Sequence, residues 1–335
     1  MKAAYKMPEP LVSVVVATFE RADLLRRCLH ALVRQTFDPA AFEIIVVDND
    51  SADATRETVQ RVAAANHGGP AIRYVLETTR GVSWARNAGL REARGSILCC
   101  VDDDAIAPPE WIGLMVDAFR TVKPAPQVVG GPAFPLYTGR RPSWYKDAYE
   151  TASWGDRPRY LGRFEYFYGL NVAFDKDLLV KAGGFDTGLG MKGHVLGFAE
   201  DAEVFDRLGK AAGGRLNVYY LPKTAVLHAI PDARLSPLYR VKRGFANGRG
   251  LYDWDTRRLP DVPWVGPLVP AGAQRPALLA WGLLRLGMTL GKTVLLSPRT
   301  PQPQNWLIER GVPLARRSGY LAAAAGITPA FLRSK

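Results

Sequence analysis

The first hundred residues alternate two periodicities. Short runs of apolar, mostly β-branched residues give way to stretches in which apolar positions recur every three or four residues, and this predicts βα units feeding a mostly parallel sheet. VSVVV at 12–16 reads as a buried strand, and ADLLRRCLHALVRQ sets Leu24, Leu25, Cys28, Leu29 and Leu32 on one helical face with arginines between them on the other. EIIVVD at 43–48 is the second strand, with Ser51 or Asp53 as the cap of the helix DATRETVQRVAAAN. IRYVLE at 72–77 is the third strand, followed by a helix through VSWARNAGLREAR. SILCCV at 96–101 is the fourth, continuous and apolar as a central strand should be. Pro108 and Pro109 then open the helix PEWIGLMVDAFR in its tolerant first turn.

After residue 125 the pattern loosens into proline, glycine and aromatic stretches such as GGPAFPLYTGRRPSWY, so a regular doubly wound sheet should not continue, and long loops should cover a site. A helix returns with AEDAEVFDRLGKAAG near 199–213, and the strand-like RLNVYYLP follows it. From about 236 the chain changes character. PALLAWGLLRLGMTLGKTVLLS carries Arg285 and Lys292 on one helical stripe and three interior glycines, which argues for an interfacial or docked helix rather than a spanning one. A core helix of the C-terminal region is the competing reading. The expected division is a catalytic domain over 1–235 and a basic, amphipathic helical region over 236–335. There is no internal repeat.

Composition narrows the classes. A chain of 335 residues with 47% hydrophobic and 23% charged residues is folded, and disordered or collagen-like classes are excluded. Its three cysteines, Cys28, Cys99 and Cys100, form no CxxC or Cys/His spacing, so neither a disulfide scaffold nor a zinc finger is expected. The N-terminus MKAAYKMPEP has no apolar core of a secretory signal, so a cytoplasmic location is expected. Charge is distributed unevenly: residues 240–335 hold 15 Lys or Arg against 4 Asp or Glu, net +11, while residues 1–239 hold 29 against 28. Such a basic segment points to an anionic surface, and interleaved leucine, tryptophan and proline suit the inner face of a cell membrane better than nucleic acid.

Three acidic clusters follow or flank predicted strands, at the carboxyl ends where open α/β sheets bind ligands. Asp102, Asp103 and Asp104 close the fourth strand; in an extended segment Asp102 and Asp104 share a face while Asp103 points elsewhere. Two convergent carboxylates call for a hard cation such as Mg2+ or Mn2+, with phosphate oxygens completing the shell. A solvated acidic turn is the competing reading. Asp48, Asn49 and Asp50 can receive a base and ribose, although the same run is good turn chemistry. Glu200, Asp201 and Glu203 can supply a general base, although a helix N-terminus favours carboxylates anyway.

Taken together, VSVVVATFER, EIIVVDNDSAD, GVSWARNAGL, ILCCVDDDA, FYGLNVAFDKDLLVKAGGFDTGL and GFAEDAEVFDRL resemble, in order and spacing over about residues 11–230, the family 2 nucleotide-sugar glycosyltransferases. The resemblance implies a GT-A fold, that is, a Rossmann-like α/β fold with a mixed, mostly parallel sheet flanked by helices, here with a helical C-terminal extension. It implies an inverting, metal-dependent transfer from a nucleoside diphosphate sugar, UDP-linked by preference, to an acceptor hydroxyl on a glycan, a lipid-linked glycan or a small hydroxylated molecule, as in bacterial polysaccharide or glycoconjugate synthesis. Thr18, Glu20 and Arg21 match the nucleotide-pocket loop, where Phe19 replaces a frequent tyrosine. Asp48, and more weakly Asp50, match the carboxylate that meets the base. Arg86 and Asn87 match the ARN element beside the diphosphate. Asp102 and Asp104 occupy the DxD positions, with Asp103 inside the same donor-side triplet, and Asp104, Asp102 and His228 are the metal candidates. Asp201 is the expected base, with Glu200 positioning it or the acceptor. Gly169, Leu170 and Asn171 resemble an acceptor-side floor. Two other classes compete: a haloacid-dehalogenase-like phosphohydrolase built on the aspartate triplet, and a basic nucleic-acid-binding protein.

Overall fold

The computed structural model describes residues 10–162, 165–258, 284, 287, 288, 291 and 303–324. It divides into two compact units. The first, residues 1–136, 150–187 and 201–229, contains the expected βα units. β1 (Val12–Thr18), β2 (Phe42–Asp48), β3 (Ala71–Leu76) and β4 (Ile97–Asp102) alternate with α1 (Ala22–Leu32), α2 (Thr55–Ala65), α3 (Val82–Glu92) and α4 (Trp111–Thr121). β5 (Ala105–Ile106), β6 (Val128–Gly130), β7 (Ala133–Tyr137), β8 (Arg159–Tyr160), β9 (Val172–Asp175), α5 (Lys176–Lys181), α6 (Glu200–Ala211), β10 (Val218–Tyr220) and β11 (Val226–Ile230) follow. Eight strands form one sheet in the order β3-β2-β1-β4-β9-β6-β10-β8, and β5-β11-β7 form a second. β1, β2, β3 and β4 pair in parallel, whereas β9 runs antiparallel to both β4 and β6. The regular winding thus ends after β4, where the periodicity of the sequence also fails.

Two expected helix starts shift. Ala54, not Ser51 or Asp53, is the cap residue of α2, although Asp53 Oδ1 still accepts the Thr55 N–H at 3.1 Å. Its other oxygen accepts the Ala22 N–H at 3.0 Å, so one carboxylate ties the starts of α1 and α2 together. Pro108 and Pro109 lie ahead of α4, whose first residue is Trp111.

β1, β2 and β4 are buried nearly end to end, which explains why SILCCV reads as a continuous apolar run. Leu25, Cys28, Leu29 and Leu32 of α1 are buried. All three cysteines are free thiols in the interior. Burial raises the Cys99 and Cys100 thiols, the latter to about 12, so both behave as small apolar side chains. α3 approaches the sheet closely: a Cβ on Gly89 would stand 2.3 Å from Cγ1 of Val15.

The second unit draws on three stretches, 137–149, 188–200 and 230–335. Its described core is the helix pair α7 (Pro237–Arg258) and α8 (Pro303–Ala324), where Val241, Phe245 and Ala246 pack with Leu307, Ala315, Leu321 and Ala322, together with Leu196. The segment 276–297 lies outside the described residues apart from Leu284, Gly287, Met288 and Gly291. Among the described residues no helix is long and apolar enough to cross a membrane.

Candidate functional site

The register of the parallel strands brings three carboxyl ends level. Thr18 pairs with Asp48, and Ala17 pairs with Asp102, so the ends of β1, β2 and β4 open into one crevice, the position where open α/β sheets bind ligands.

The triplet is a turn rather than an extension. β4 ends at Asp102 and the backbone turns at Asp103 and Asp104, which overturns the expected alternation of faces. Asp103 does not point away. Its Oδ1 and Oδ2 of Asp104 each accept from Nη1 of Arg21 at 3.1 Å, and its Oδ2 accepts from the Thr18 hydroxyl at 2.8 Å. Burial pushes the Asp103 carboxyl up to about 6, with Arg21 opposing and Asp104 reinforcing the rise. Arg21 is held firmly in its charged form, chiefly by Asp103.

Asp102 is claimed by a different arginine. Arg86 on α3 is 4% exposed, and its Nη2 donates to Oδ1 of Asp102 while its Nη1 donates to Oδ1 of Asp201, each at 3.1 Å. Asp201 lies in the first turn of α6, directly after buried Glu200, and ahead of them Ala199 adopts φ of 83°. Burial raises the Asp201 carboxyl, Arg86 lowers it, and Asp102 raises it again. Proximity to the Gly169 amide lowers it as well. Gly169 must lack a side chain, because a Cβ there would lie 2.2 Å from Nη2 of Arg86. Arg86 therefore binds two carboxylates at once.

The other expected residues fall into distinct roles. Asp48 is 2% exposed; its Oδ1 accepts from the Ser51 amide at 2.9 Å and its Oδ2 from the Tyr74 hydroxyl at 2.7 Å. Each oxygen keeps a second lone pair for an incoming N–H. Asp50 is exposed on a positive φ of 65° and pairs with Arg80, whose guanidinium sits 4.2 Å over the Phe19 ring. The Glu20 backbone, at φ of 52°, donates its N–H to the Ser51 hydroxyl. Asn87 exchanges two hydrogen bonds of 2.7 Å with the Phe185 backbone, so its side chain holds the turn at 183–186. Asn171 is buried and saturated: it accepts from Trp111 Nε1 and donates to the carbonyls of Pro132 and Thr224, which makes it a scaffold group rather than an open floor.

His228 arrives from β11, whose residue 229 donates its amide to the Asp104 carbonyl at 2.7 Å. Its Nε2 stands 3.4 Å from Oδ1 of Asp104. Neighbouring ligands on an octahedral ion are about 3 Å apart when each bond is about 2.1 Å, so this pair can share one cation. Carboxylate oxygen suits Mn2+ and Mg2+ alike, and imidazole favours Mn2+ of the two. Among the described residues no group of three or more His, Cys, Asp or Glu side chains gathers into a cage, so the remaining ligands would have to come from phosphate and water.

Sequence reasoning missed Arg21 as the partner of Asp103 and Asp104, it missed Arg80 and Tyr74, and it gave Asn49 to the base and ribose rather than to the loop it holds. Asn49 is 4% exposed, donates to the carbonyls of Glu77 and Thr79 and accepts from the Gly81 amide, and so shapes the loop that starts α3. The available signal was its position directly after a strand-end aspartate.

A sequence profile for glycosyl transferase family 2 matches residues 13–179, from β1 through most of α5. The chain belongs to glycosyl transferase family 2. Membership places the chain among glycosyltransferases rather than phosphohydrolases. Over 245 residues the chain is 29% identical to the glucosyl-dolichyl phosphate glucuronosyltransferase of Haloferax volcanii, covering 71% of this chain and 75% of that one. Over 242 residues it is 25% identical to the succinoglycan biosynthesis protein ExoM of Rhizobium meliloti, covering 71% and 73%. A mannosyltransferase from Pyrobaculum calidifontis, solved with GDP-Man and Mn2+, superposes with a TM-score of 0.55 at 22% identity, covering 95% of this chain and 87% of that one. The fold is that of GT-A glycosyltransferases.

Proposed function

We propose that this family 2 enzyme transfers a sugar from a nucleoside diphosphate donor to an acceptor hydroxyl with inversion at the anomeric carbon. One observation carries the reading: a single buried guanidinium holds a strand-end carboxylate, Asp102, and a helix-start carboxylate, Asp201, each at 3.1 Å. The first borders the crevice where a donor lies, and the second has the burial and the partners of a base. Asp48 would accept an N–H of the base, which favours UDP, with GDP as the alternative. The Pyrobaculum neighbour, captured with GDP-Man and Mn2+, supports a nucleotide donor and a divalent ion. The Haloferax relative, named for a glucosyl-dolichyl phosphate, supports a glycan or lipid-linked acceptor.

Asp104 and His228 would hold Mn2+ or Mg2+, and Asp102 borders them; the bound ion would supply a Lewis acid to the departing diphosphate. Asp201 accepts the acceptor's hydroxyl proton as that oxygen bonds to the anomeric carbon and the bond to the diphosphate breaks. Attack from the face opposite the leaving group inverts the centre. Arg86 fixes the direction of an Asp201 lone pair and favours the ionised form of this buried carboxyl against the rise that burial causes. Arg21 balances Asp103 and Asp104, whose charges would otherwise repel each other.

Thermal unfolding measured with UDP or GDP, each with and without Mn2+, tests the reading. The expected outcome is a rise in melting temperature with nucleotide and metal together that exceeds the two separate rises, as mass action on the folded state requires. A melting temperature indifferent to every nucleotide–metal combination overturns the donor assignment.

A further inference from the structure

Residues 166–169 read Tyr-Phe-Tyr-Gly and divide their aromatic rings between core and surface. Phe167 is 3% exposed and stacks on Tyr220 with centroids 6.3 Å apart and edges toward Phe205 at 6.2 Å. Tyr166 contacts Phe205 on one side and meets the Tyr168 ring on the other, at 5.8 Å and 73°. Tyr168 itself is 49% exposed. The rings thus run from the interior to the surface, and the last one is braced by Tyr166 and half-exposed. The next residue along the chain, Gly169, lies against Arg86, where a Cβ would stand 2.2 Å from Nη2, and Nη1 of that guanidinium holds Asp201 at 3.1 Å. A supported, half-exposed aromatic ring therefore stands one peptide unit from the glycine that packs on the guanidinium holding the proposed base.

We infer that Tyr168 is the acceptor-binding platform and that the acceptor presents a pyranose ring, whose C–H face lies on the tyrosine while one of its hydroxyls reaches Asp201. An aromatic face carries negative quadrupole charge and attracts the slightly positive C–H edges of a sugar, leaving its equatorial hydroxyls free to hydrogen bond. An open-chain polyol has no such face. The position accounts for a half-exposed aromatic ring next to Gly169, where a polar side chain would otherwise suit the solvent. This inference rests on the transfer reaction proposed above and narrows its acceptor class.

Saturation-transfer NMR on the full chain with UDP and Mn2+ tests it, using methyl β-D-glucopyranoside, methyl β-D-galactopyranoside and methyl α-D-mannopyranoside as probes and sorbitol as the open-chain control. The expected result is transfer to the protons of one ring face in at least one pyranoside and none to sorbitol. For that pyranoside, Tyr168→Ala should weaken binding about tenfold and Tyr168→Phe should stay within about twofold. Equal binding by Tyr168→Ala, an equal loss in Tyr168→Phe, equal transfer to sorbitol or no transfer to any pyranoside each overturns the platform. The thermal shift with UDP and Mn2+ should be unchanged in Tyr168→Ala, and its loss there would assign the residue to the donor side and overturn the proposal. Absence of any nucleotide shift in the unmodified protein is a separate failure: it removes the transfer reading, and the platform with it.

Discussion

Asp201 accepts from the Arg86 guanidinium while burial works against its charge, and the balance of the two decides how readily it takes a proton. Asp201→Asn keeps the shape and removes the basicity. It should lower the transfer rate by about 10² to 10⁴, the usual contribution of a positioned base, and leave the calorimetric affinity for UDP with Mn2+ unchanged. A parallel loss of nucleotide affinity would take Asp201 out of the base role. At this scale the sequence was a partial guide. Aspartates at strand ends and the ED pair were recognisable because strand termini and helix starts are fixed by periodicity. The ion pairs were not recognisable: Arg21 lies 82 and 83 residues from its partners, and no local spacing encodes such a meeting. The exchange of faces at Asp102–Asp104 failed for a simpler reason, since one turn at Asp103 cancels the two-residue period on which it relied.

Among the elements, α3 is the most constrained. It presents Arg86 to two carboxylates and Asn87 to the Phe185 backbone while Gly89 rests on β1. Ala85, Ala88 and Gly89 are short, which lets the helix approach β1 so closely that a Cβ on Gly89 would meet Val15. A glycine inside an exposed helix costs about 1 kcal/mol relative to alanine, so Gly89→Ala would ordinarily stabilise. Here the added methyl meets a buried valine, and overpacking of that kind costs about 1–3 kcal/mol. The expected outcome is a lower urea midpoint for Gly89→Ala with an unchanged slope. A higher midpoint would mean that α3 can move away from the sheet. β1, β2, β4 and the helices between them were legible because each buries a full face; the short strands after residue 125 were not, because two to five residues carry too little periodicity.

For the whole molecule, the second unit gathers residues 137–149 and 188–200 with the C-terminal stretch, an arrangement no composition profile reveals. Removing everything after 235 would deprive those two segments of their companions, so the basic region is better tested in the intact protein. With net +11 over residues 240–335, the full chain should float with phosphatidylglycerol vesicles at low ionic strength and be released as salt screens the charges. Equal flotation with phosphatidylcholine vesicles, or none with either, would discard the anionic-surface partner.

The two bonds of Arg86 differ in what the unfolded chain must give up to make them. Asp102 is 16 residues away and Asp201 is 115. Closing the longer loop costs about 1.7 kcal/mol more in chain entropy by the logarithmic scaling of loop length. The grip on β4 is therefore the local, inexpensive half, while the grip on α6 depends on the entire intervening fold having come together.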